Sequence, residues 1–263
     1  MALPSDTDLS AAGLAVQVSG PTLTITLDKP ERRNSQTPTM WHALAAIGEA
    51  LPDDVRAVVV RGAGECFSAG IDIKLLGPDG MEGEESVAEL MHADDEAILD
   101  AIDGYQRGFV WLSDPRIVSV ASVHGYAIGA GFQLALACDL RVVADDVKFC
   151  MKEPALGLVP DLAGTKPLVE LVGFSRALEI CTTARYVEAD EAQHLGLATA
   201  AVSRDALHAT TADLVEAILA SNVGAVRETK SLLQQAADRD LETQRLAERR
   251  AQVRRFRDLV GGS

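Results

Sequence analysis

The chain has little positive charge and no long apolar run. Its 263 residues carry 39 acidic and 24 basic side chains, a formal charge of −15 at pH 7. A surface that follows a phosphate backbone needs the opposite balance, and basic residues are not interleaved with aromatic ones, so we expect no nucleic-acid partner. No apolar run approaches eighteen residues, and an anionic bilayer would repel the average surface, so we expect no membrane association.

Cysteine is also scarce. The four cysteines lack the close pairs of a zinc site and are too few, in a chain this long, to suggest a disulfide scaffold. The five histidines are isolated from one another in the sequence, so no metal site is predicted. The N-terminal segment MALPSDTDLSAAG does not combine a basic start with an apolar core. We therefore expect a protein that is not exported and that works in the reducing cytoplasm.

Three common enzyme motifs are missing as well. The segment RGAGECF supplies Gly62 and Gly64, but Phe67 replaces the third glycine of a dinucleotide-binding fingerprint. Residues 164–166 read Gly-Thr-Lys rather than the G-K-[ST] ending of a phosphate loop, and no serine lies in a G-x-S-x-G elbow. These absences argue against a dinucleotide enzyme, a phosphate-loop NTPase and an α/β-hydrolase.

What is present is an alternation of strand and helix patterns. Residues 14–18 and 23–27 alternate apolar and polar side chains on either side of a turn, which is typical of a β-hairpin. The β-branched run at 55–60 predicts a strand buried on both faces, and helical periodicity predicts a helix over 87–112. Because the pattern is helical from Asp205 onward, the sequence predicts an α/β core followed by a helical region.

Two glycine-containing loops that follow buried strands are candidate binding elements. Gly125, Gly129 and Gly131 surround the start of a small-residue helix predicted over 130–138, and CFSAGIDIK at 66–74 is a second loop of this kind. Glycine lets backbone approach a ligand, and the N–H groups at a helix start favour negative charge. Two such loops could direct two amides at one oxygen and stabilise a thioester enolate, with each donor contributing about 3 kcal/mol. Purely structural turns are the alternative.

Two carboxylates are candidate proton-transfer groups. Glu153 follows a predicted strand beside Pro154 and near apolar Phe149, and such surroundings raise a carboxyl pKa toward the working pH. The alternative is an ordinary surface glutamate. Asp161, eight residues later, is either a second acid–base group or the N-cap of a helix predicted over 166–172.

Five segments, spread from about Val16 to the C-terminus, resemble the crotonase, or enoyl-CoA hydratase/isomerase, superfamily in order and spacing. They are PERRNS (30–35), VRAVVVRGAGECFSAGIDIK (55–74), HGYAIGAGFQLALACDLRV (124–142), FCMKEPALGLVPDLAGT (149–165) and EADEAQHLGLA (188–198). The resemblance implies a crotonase-like spiral of β-β-α turns over residues 1–200 and a C-terminal helical region over 201–263 that serves in oligomerisation or as a lid. It also implies homotrimers or hexamers, and an acyl-CoA thioester substrate in which coenzyme A is part of the substrate and no other cofactor is needed.

The same resemblance implies roles for individual residues. The backbone N–H groups of Ile71 and Ala130 would form the oxyanion hole. The neighbouring positions expected to contact substrate are Gly70 and Gly129 at the hole, Ala69, Asp72 and Ile73 along the adenine and pantetheine path, and Lys74 and Arg33 at the phosphates.

The acid–base residues distinguish reactions within the family. Its hydratases use two glutamates to hold and split water, but here the first position is Gln133 and only the second, Glu153, is kept. An amide cannot accept or deliver that proton at neutral pH. Dienoyl-CoA isomerases resemble this chain in having a glutamate at the position of Glu153 and an aspartate at that of Asp161, although they usually carry an aspartate where Gln133 stands. We therefore predict a double-bond isomerase, nearer to the dienoyl than to the monoenoyl enzymes, with Glu153 and Asp161 as its acid–base pair.

Other functions stay open at this point. One is an enoyl-CoA hydratase that uses Glu153 while Gln133 only positions water. Another is a non-catalytic acyl-CoA-binding homologue, against which the two ionisable carboxylates argue. Some relatives bind RNA, but the charge of −15 makes this the weakest option. The acyl-pocket wall is expected to come from residues 77–112, which the family motifs constrain least.

Overall fold

A computed structural model describes residues 2–77, 79–85 and 87–261. The strands in this part of the chain are β1 (Leu14–Ser19), β2 (Thr22–Leu27), β3 (Ala57–Gly62), β4 (Val118–Val123), β5 (Tyr126–Ile128), β6 (Leu140–Ala144), β7 (Lys148–Cys150), β8 (Val187–Glu188) and β9 (Ala200–Val202). The helices are α1 (Asp6–Ala11), α2 (Pro38–Glu49), α3 (Val87–Leu90), α4 (Asp95–Val110), α5 (Ala130–Ala137), α6 (Thr165–Val172), α7 (Phe174–Thr183), α8 (Ala189–His194), α9 (Leu207–Ala220), α10 (Val223–Gln234) and α11 (Leu241–Gly261).

The strands form a large sheet, ordered β1-β2-β3-β4-β6-β9, and a small sheet, ordered β5-β7-β8. The predicted hairpin is confirmed, because β1 and β2 are antiparallel neighbours. From β2 onward the large sheet is parallel, with Thr22 opposite Ala57 and Val58 opposite Ser119. The chain repeats a unit of two strands followed by a helix, as in β1-β2-α2 and β4-β5-α5. The predicted α/β spiral is therefore observed.

The large sheet is covered on both faces, as its continuous apolar strands require. On one side α2 and α4 pack together, with the rings of Trp41 and Tyr105 centred 5.0 Å apart. On the other side α9 lies across the sheet, where Thr211 Oγ1 donates a hydrogen bond of 3.1 Å to Ser122 Oγ. The predicted helical region after Asp205 is also present, as α9, α10 and α11.

One helix prediction was wrong in part. Residues 87–112 do not form a continuous helix, because α3 ends at Leu90 and α4 begins at Asp95. Asp94 has extended backbone, and its Oδ1 accepts the N–H of Ala97 at 2.9 Å, so it caps a new helix start. Apolar periodicity continues across such a break, which is why the pattern alone missed it.

The acidic segment that precedes α3 contacts α2 and α4. Residues 79–85 are irregular, and Pro78 and Ser86 lie outside the described residues. Glu84 Oε2 accepts the N–H of Thr39 in the first turn of α2 at 3.0 Å. Glu85 accepts from Tyr105 at 2.5 Å and contacts His42 Nε2 at 2.9 Å. These contacts attach the loop to α2 and α4.

Two further observations concern the described residues alone. None of their helices is long and apolar enough to cross a membrane. They also contain no group of three or more histidine, cysteine, aspartate or glutamate side chains placed to hold a metal ion.

Candidate active site

The loop over residues 68–71 is held open by buried polar side chains beneath it. Ser68 Oγ donates to Asn34 O at 2.8 Å and accepts from Gly70 N and Gln36 Nε2, both at 3.1 Å. Asn34 Nδ2 donates to Cys66 O at 2.8 Å. Asn34, Gln36 and Ser68 are fully buried, so every bond in this network contributes to a fixed loop shape.

The loops that carry the backbone N–H groups of Ile71 and Ala130 pack against each other beside this network. In the described residues, neither Ile71 N nor Ala130 N donates to another backbone or side-chain group. Gly70 has φ +86°, and a Cβ added there would lie 3.6 Å from Ala130 N, which places the Ile71 loop against the start of α5. Ser68 also forms an isolated parallel β-bridge with Ala127 of β5. Backbone N–H groups at a helix start favour negative charge, so Ala130 N is a candidate donor to an oxyanion.

Glu153 lies beside these donors. It follows β7, opens a 3₁₀ turn over Glu153–Leu156, and is only 9% exposed. Gly129 has φ +52°, and a Cβ there would come within 3.2 Å of Glu153 Oε1, so glycine lets the carboxylate approach the start of α5. Burial raises the pKa of Glu153 above its ordinary value, and Asp161 adds to the rise. A base with a raised pKa suits proton transfer near neutral pH.

Gln133 contacts Glu153 directly. Its side chain is fully buried on α5, and Nε2 donates to Glu153 Oε1 at 2.7 Å. Its Oε1 accepts the backbone N–H groups of Leu162 and Gly164 at 2.9 and 3.3 Å. The sequence placed Gln133 at the site through resemblance, but these bonds connect residues that are 20 to 31 positions apart along the chain, so no local pattern predicts them.

Asp161 lies on the loop that Gln133 holds. Its backbone carbonyl accepts Gln106 Nε2 from α4 at 2.7 Å. Burial raises the pKa of its side chain. The N-cap interpretation of Asp161 was wrong, because Gly164 is the residue that precedes α6. The Asp161 side chain is therefore not used to cap that helix.

The predicted coenzyme A path runs outward from Ala69. Ile73 and Lys74 are exposed on a 3₁₀ turn, and Arg33 is exposed with φ 55°. The Asp72 side chain is 4% exposed, accepting Ser35 Oγ at 2.8 Å and pairing with Arg32 at 2.5 Å. A role for Asp72 in the path would therefore use its backbone.

The sequence did not predict the polar residues that support the 68–71 loop, Asn34, Gln36 and Ser68, or the phenol of Tyr105. Tyr105 is 7% exposed, and burial together with its hydrogen bond to Glu85 raises the pKa of the phenol. The negative charge of Asp161 also raises the pKa of Tyr105. Tyr105 therefore lies near the loop that carries Asp161. The motif PERRNS carried a signal for Asn34, since an asparagine is one of the few residues that tolerates its φ of 52°.

Comparisons with known proteins show the family of this chain. The Enoyl-CoA hydratase/isomerase family model matches residues 19–259. A crystal structure of a Thermobifida fusca YX protein, described as a candidate enoyl-CoA hydratase and solved with CoA, is 48% identical with a TM-score of 0.94, covering 98% of both chains.

Curated relatives with two different activities match as well. A Rhizobium meliloti (strain 1021) protein, described as a candidate enoyl-CoA hydratase, is 30% identical over 240 residues, covering 89% of this chain and 84% of its own. The Rattus norvegicus mitochondrial Delta(3,5)-Delta(2,4)-dienoyl-CoA isomerase is 34% identical over 180 residues, covering 66% of this chain and 54% of its own. The chain belongs to the enoyl-CoA hydratase/isomerase family, and its fold is the crotonase-like spiral that the sequence predicted.

Proposed function

We propose that this chain is an acyl-CoA double-bond isomerase that acts on a 3,5-dienoyl-CoA. The observation that carries the proposal is the pairing of Glu153 with Gln133 at 2.7 Å. A family hydratase would use two ionisable groups to hold and split water, and here the group at the first of those positions is the amide of Gln133, whose oxygen already accepts two backbone N–H groups. Asp161, on the loop held by that amide, supplies a second carboxyl for proton return.

The reaction follows from the placement of these groups. The thioester carbonyl would accept the N–H groups of Ile71 and Ala130, and Glu153 Oε2 would take a proton from C2. The electron pair spreads through the conjugated chain onto the carbonyl oxygen as an extended enolate, which the two donors stabilise. Protonated Asp161 then delivers a proton to C6. The double bonds move from positions 3 and 5 to positions 2 and 4, with no atom gained or lost overall.

The solved complexes of the Thermobifida fusca protein support a coenzyme A thioester as the ligand. That protein was crystallised with CoA and with acetoacetyl-CoA. We propose that this chain binds acyl-CoA in the same cleft, along Ala69 and Ile73 toward Lys74 and Arg33, and that coenzyme A enters only as part of the substrate.

A hydratase is the second candidate function. The description of the Rhizobium meliloti relative, which covers more of this chain than the dienoyl-CoA isomerase does, favours it. In that case Glu153 alone would activate water at C3 of a 2-enoyl-CoA. The two candidates differ in product, since only hydration consumes the enoyl double bond.

The test follows purified protein with a 3,5-dienoyl-CoA and separately with a 2-enoyl-CoA, by diene and enoyl absorbance. We expect conjugated diene to form, and the Glu153→Gln variant to lose about 10²- to 10⁴-fold in kcat while calorimetry shows acetoacetyl-CoA binding unchanged. Glu216→Gln, an exposed glutamate on α9, is the matched control and should match the wild type. Unchanged turnover in Glu153→Gln would remove Glu153 from the mechanism. No turnover of either substrate by the wild type, with acetoacetyl-CoA binding retained, would favour a non-catalytic homologue.

The Asp161→Asn variant separates the two carboxyls. We expect it to form little diene product while it still exchanges the C2 protons of substrate with D₂O, because Glu153 remains able to remove and return them. Proton NMR of the recovered substrate measures that exchange. Loss of both exchange and isomerisation would assign the first proton transfer to Asp161 instead.

We also propose that the chain works as a homotrimer or a pair of trimers. The support is α11, which exposes six large apolar side chains in the single chain. They are Leu241, Leu246, Val253, Phe256, Leu259 and Val260. Burial of such side chains against a second copy would stabilise an assembly.

A further inference from the structure

The carboxamide of Gln133 has one chemically allowed orientation. The backbone N–H groups of Leu162 and Gly164 can only donate, so the group that faces them must be the amide oxygen. The Nε2 group must then face Glu153 Oε1, 2.7 Å away. Gly164 makes the approach possible, since a Cβ there would come within 2.7 Å of Gln133 Cγ. Gln133 is fully buried, so water does not compete for these bonds.

This orientation affects Glu153 in two ways. The donated N–H occupies Oε1, while Oε2 is buried and has no hydrogen-bond partner in the described residues. Oε2 is therefore the oxygen of Glu153 that is left to take a proton. A donor also favours the charged carboxylate, so the contact opposes the rise in the pKa of Glu153 that burial causes.

The titratable groups that face Glu153 are few. Asp161, in its ionised form, raises the pKa of Glu153. Glu153 in turn acts on the thiols of Cys150 and Cys181, and burial raises the pKa of both, so they stay neutral at physiological pH. Lys152 is exposed next to Glu153 in the sequence. Among these neighbours, Gln133 is the side chain that donates a hydrogen bond to the carboxylate.

The same carboxamide sets the position of the Asp161 loop. Its oxygen binds residues 162 and 164 on either side of Ala163, which has φ 62°. A non-glycine residue at positive φ persists only where surrounding bonds hold it. Gln106 holds the loop from its other side through Asp161 O. One amide on α5 therefore contacts both the carboxylate proposed as the base and the loop of the carboxyl proposed as the acid.

We propose that Gln133 is a positioning residue that holds Glu153 as the ionised base and fixes the Asp161 loop at the distance the second proton transfer needs. The inference rests on the proposed isomerase function. The inference also explains why Gln133 is an amide, whereas a hydratase of the family would use a glutamate at this position. A carboxylate there would still accept the two backbone N–H groups, but its other oxygen would face Glu153 Oε1 and could donate only by holding a proton.

The Gln133→Glu variant tests the amide while keeping its size. Two carboxyls at hydrogen-bond distance share one proton, so one of them titrates at a much higher pH. We expect the acid limb of the kcat/KM profile for a 3,5-dienoyl-CoA to move up by about one pH unit or more, with about a tenfold loss below it. Hydrogen exchange at the 161–164 peptide, read by mass spectrometry, should stay protected. An unmoved pH profile would overturn the proposal.

The Gln133→Met variant is the matched control, because it removes donor and acceptor with little change in volume. Here the 161–164 peptide should lose its protection, while α9 peptides on the far face of the large sheet keep theirs. Protection equal to wild type in Gln133→Met would contradict the loop role.

These readouts also separate this inference from the proposed function. Should the wild type isomerise no dienoyl-CoA, the proposed function fails, while the exchange data and an infrared titration of the carboxyls still decide the role of Gln133. In that titration, an elevated carboxyl pKa in Gln133→Glu supports the positioning role, and a wild-type titration overturns it.

Discussion

Gly70 has a backbone conformation on which the proposed oxyanion hole depends. Its φ is +86°, and a Cβ would come within 2.4 Å of Ile128 O, so alanine cannot enter without moving the loop or β5. We predict that Gly70→Ala displaces the N–H of Ile71 and lowers kcat by about 10²-fold or more, the usual cost of one lost oxyanion donor. Steady-state kinetics with the best substrate measures the change.

The control for Gly70→Ala is Gly20→Ala in the β1–β2 turn. Gly20 also has positive φ, +54°, but a Cβ there meets nothing within 4 Å. Alanine at position 20 therefore introduces backbone strain similar to that of alanine at position 70, about 1 kcal/mol, but makes no contact with the candidate active site. Activity that falls equally in both variants would mean that lost stability, and not the hole, explains Gly70→Ala.

At this scale the sequence predicted residue types better than it predicted their bonds. The apolar neighbours of Glu153 indicated a buried carboxyl, and the structure confirms its burial. The bond between Ser35 and Asp72 joins positions 37 apart, and the bond between Gln133 and Gly164 joins positions 31 apart. Such pairs depend on how the spiral closes, which composition and spacing do not contain.

Lys230 is a buried cation that helps to attach helix α10 to the core. Lys230 is 9% exposed, and its Nζ donates to Asp114 O and Ile117 O, both at 2.8 Å, and to Asp139 Oδ2 at 2.7 Å. All three ammonium donors are used. We predict that Lys230→Met lowers the free energy of unfolding by about 3 kcal/mol, because it leaves a half-buried carboxylate and two carbonyls short of a partner.

Urea unfolding at fixed protein concentration measures this effect. Lys166→Met is the control, because Lys166 is exposed and pairs with Glu170 one helical turn away at 2.8 Å, an arrangement that contributes little. Equal midpoints for Lys230→Met and the wild type would show that α10 does not depend on this contact.

The sequence predicted the presence of strands and helices better than it predicted the residues at which they begin and end. Strands such as β3 and β4 are buried and β-branched, so their apolar runs are distinctive. The break between α3 and α4 depends on the cap at Asp94 rather than on any loss of periodicity. Local capping bonds decide such ends, and a hydrophobic pattern does not record them.

At the scale of the whole molecule, the exposed surface of α11 predicts that copies of this chain assemble. Ion pairs within the chain occupy four of the six arginines near the C-terminus, including Arg254 with Glu228 at 2.6 Å and Arg245 with Glu242 at 2.8 Å. Phe256 and Leu259 remain 60% and 64% exposed. We predict that the double variant Phe256→Asp, Leu259→Asp sediments as a smaller species than the wild type.

Sedimentation velocity at several concentrations measures this difference. Arg250→Asp, an exposed polar position on the same helix, should leave the assembly intact. A wild-type chain that sediments as a monomer at every concentration would contradict the proposed trimer.

The division into a core over 1–200 and a helical region over 201–263 stays a prediction, as does a cytoplasmic location.

At the scale of the whole molecule, we propose that Glu153, held by the amide of Gln133, and Asp161 move double bonds and do not add water. The most direct measurement is mass spectrometry of the acyl-CoA products formed from a 3,5-dienoyl-CoA and a 2-enoyl-CoA in ¹⁸O-labelled water. We expect a 2,4-dienoyl product of unchanged mass that carries no label. A product that gains the mass of one labelled water, formed with Glu153 present and lost in Glu153→Gln, would contradict the proposal and make the protein a hydratase.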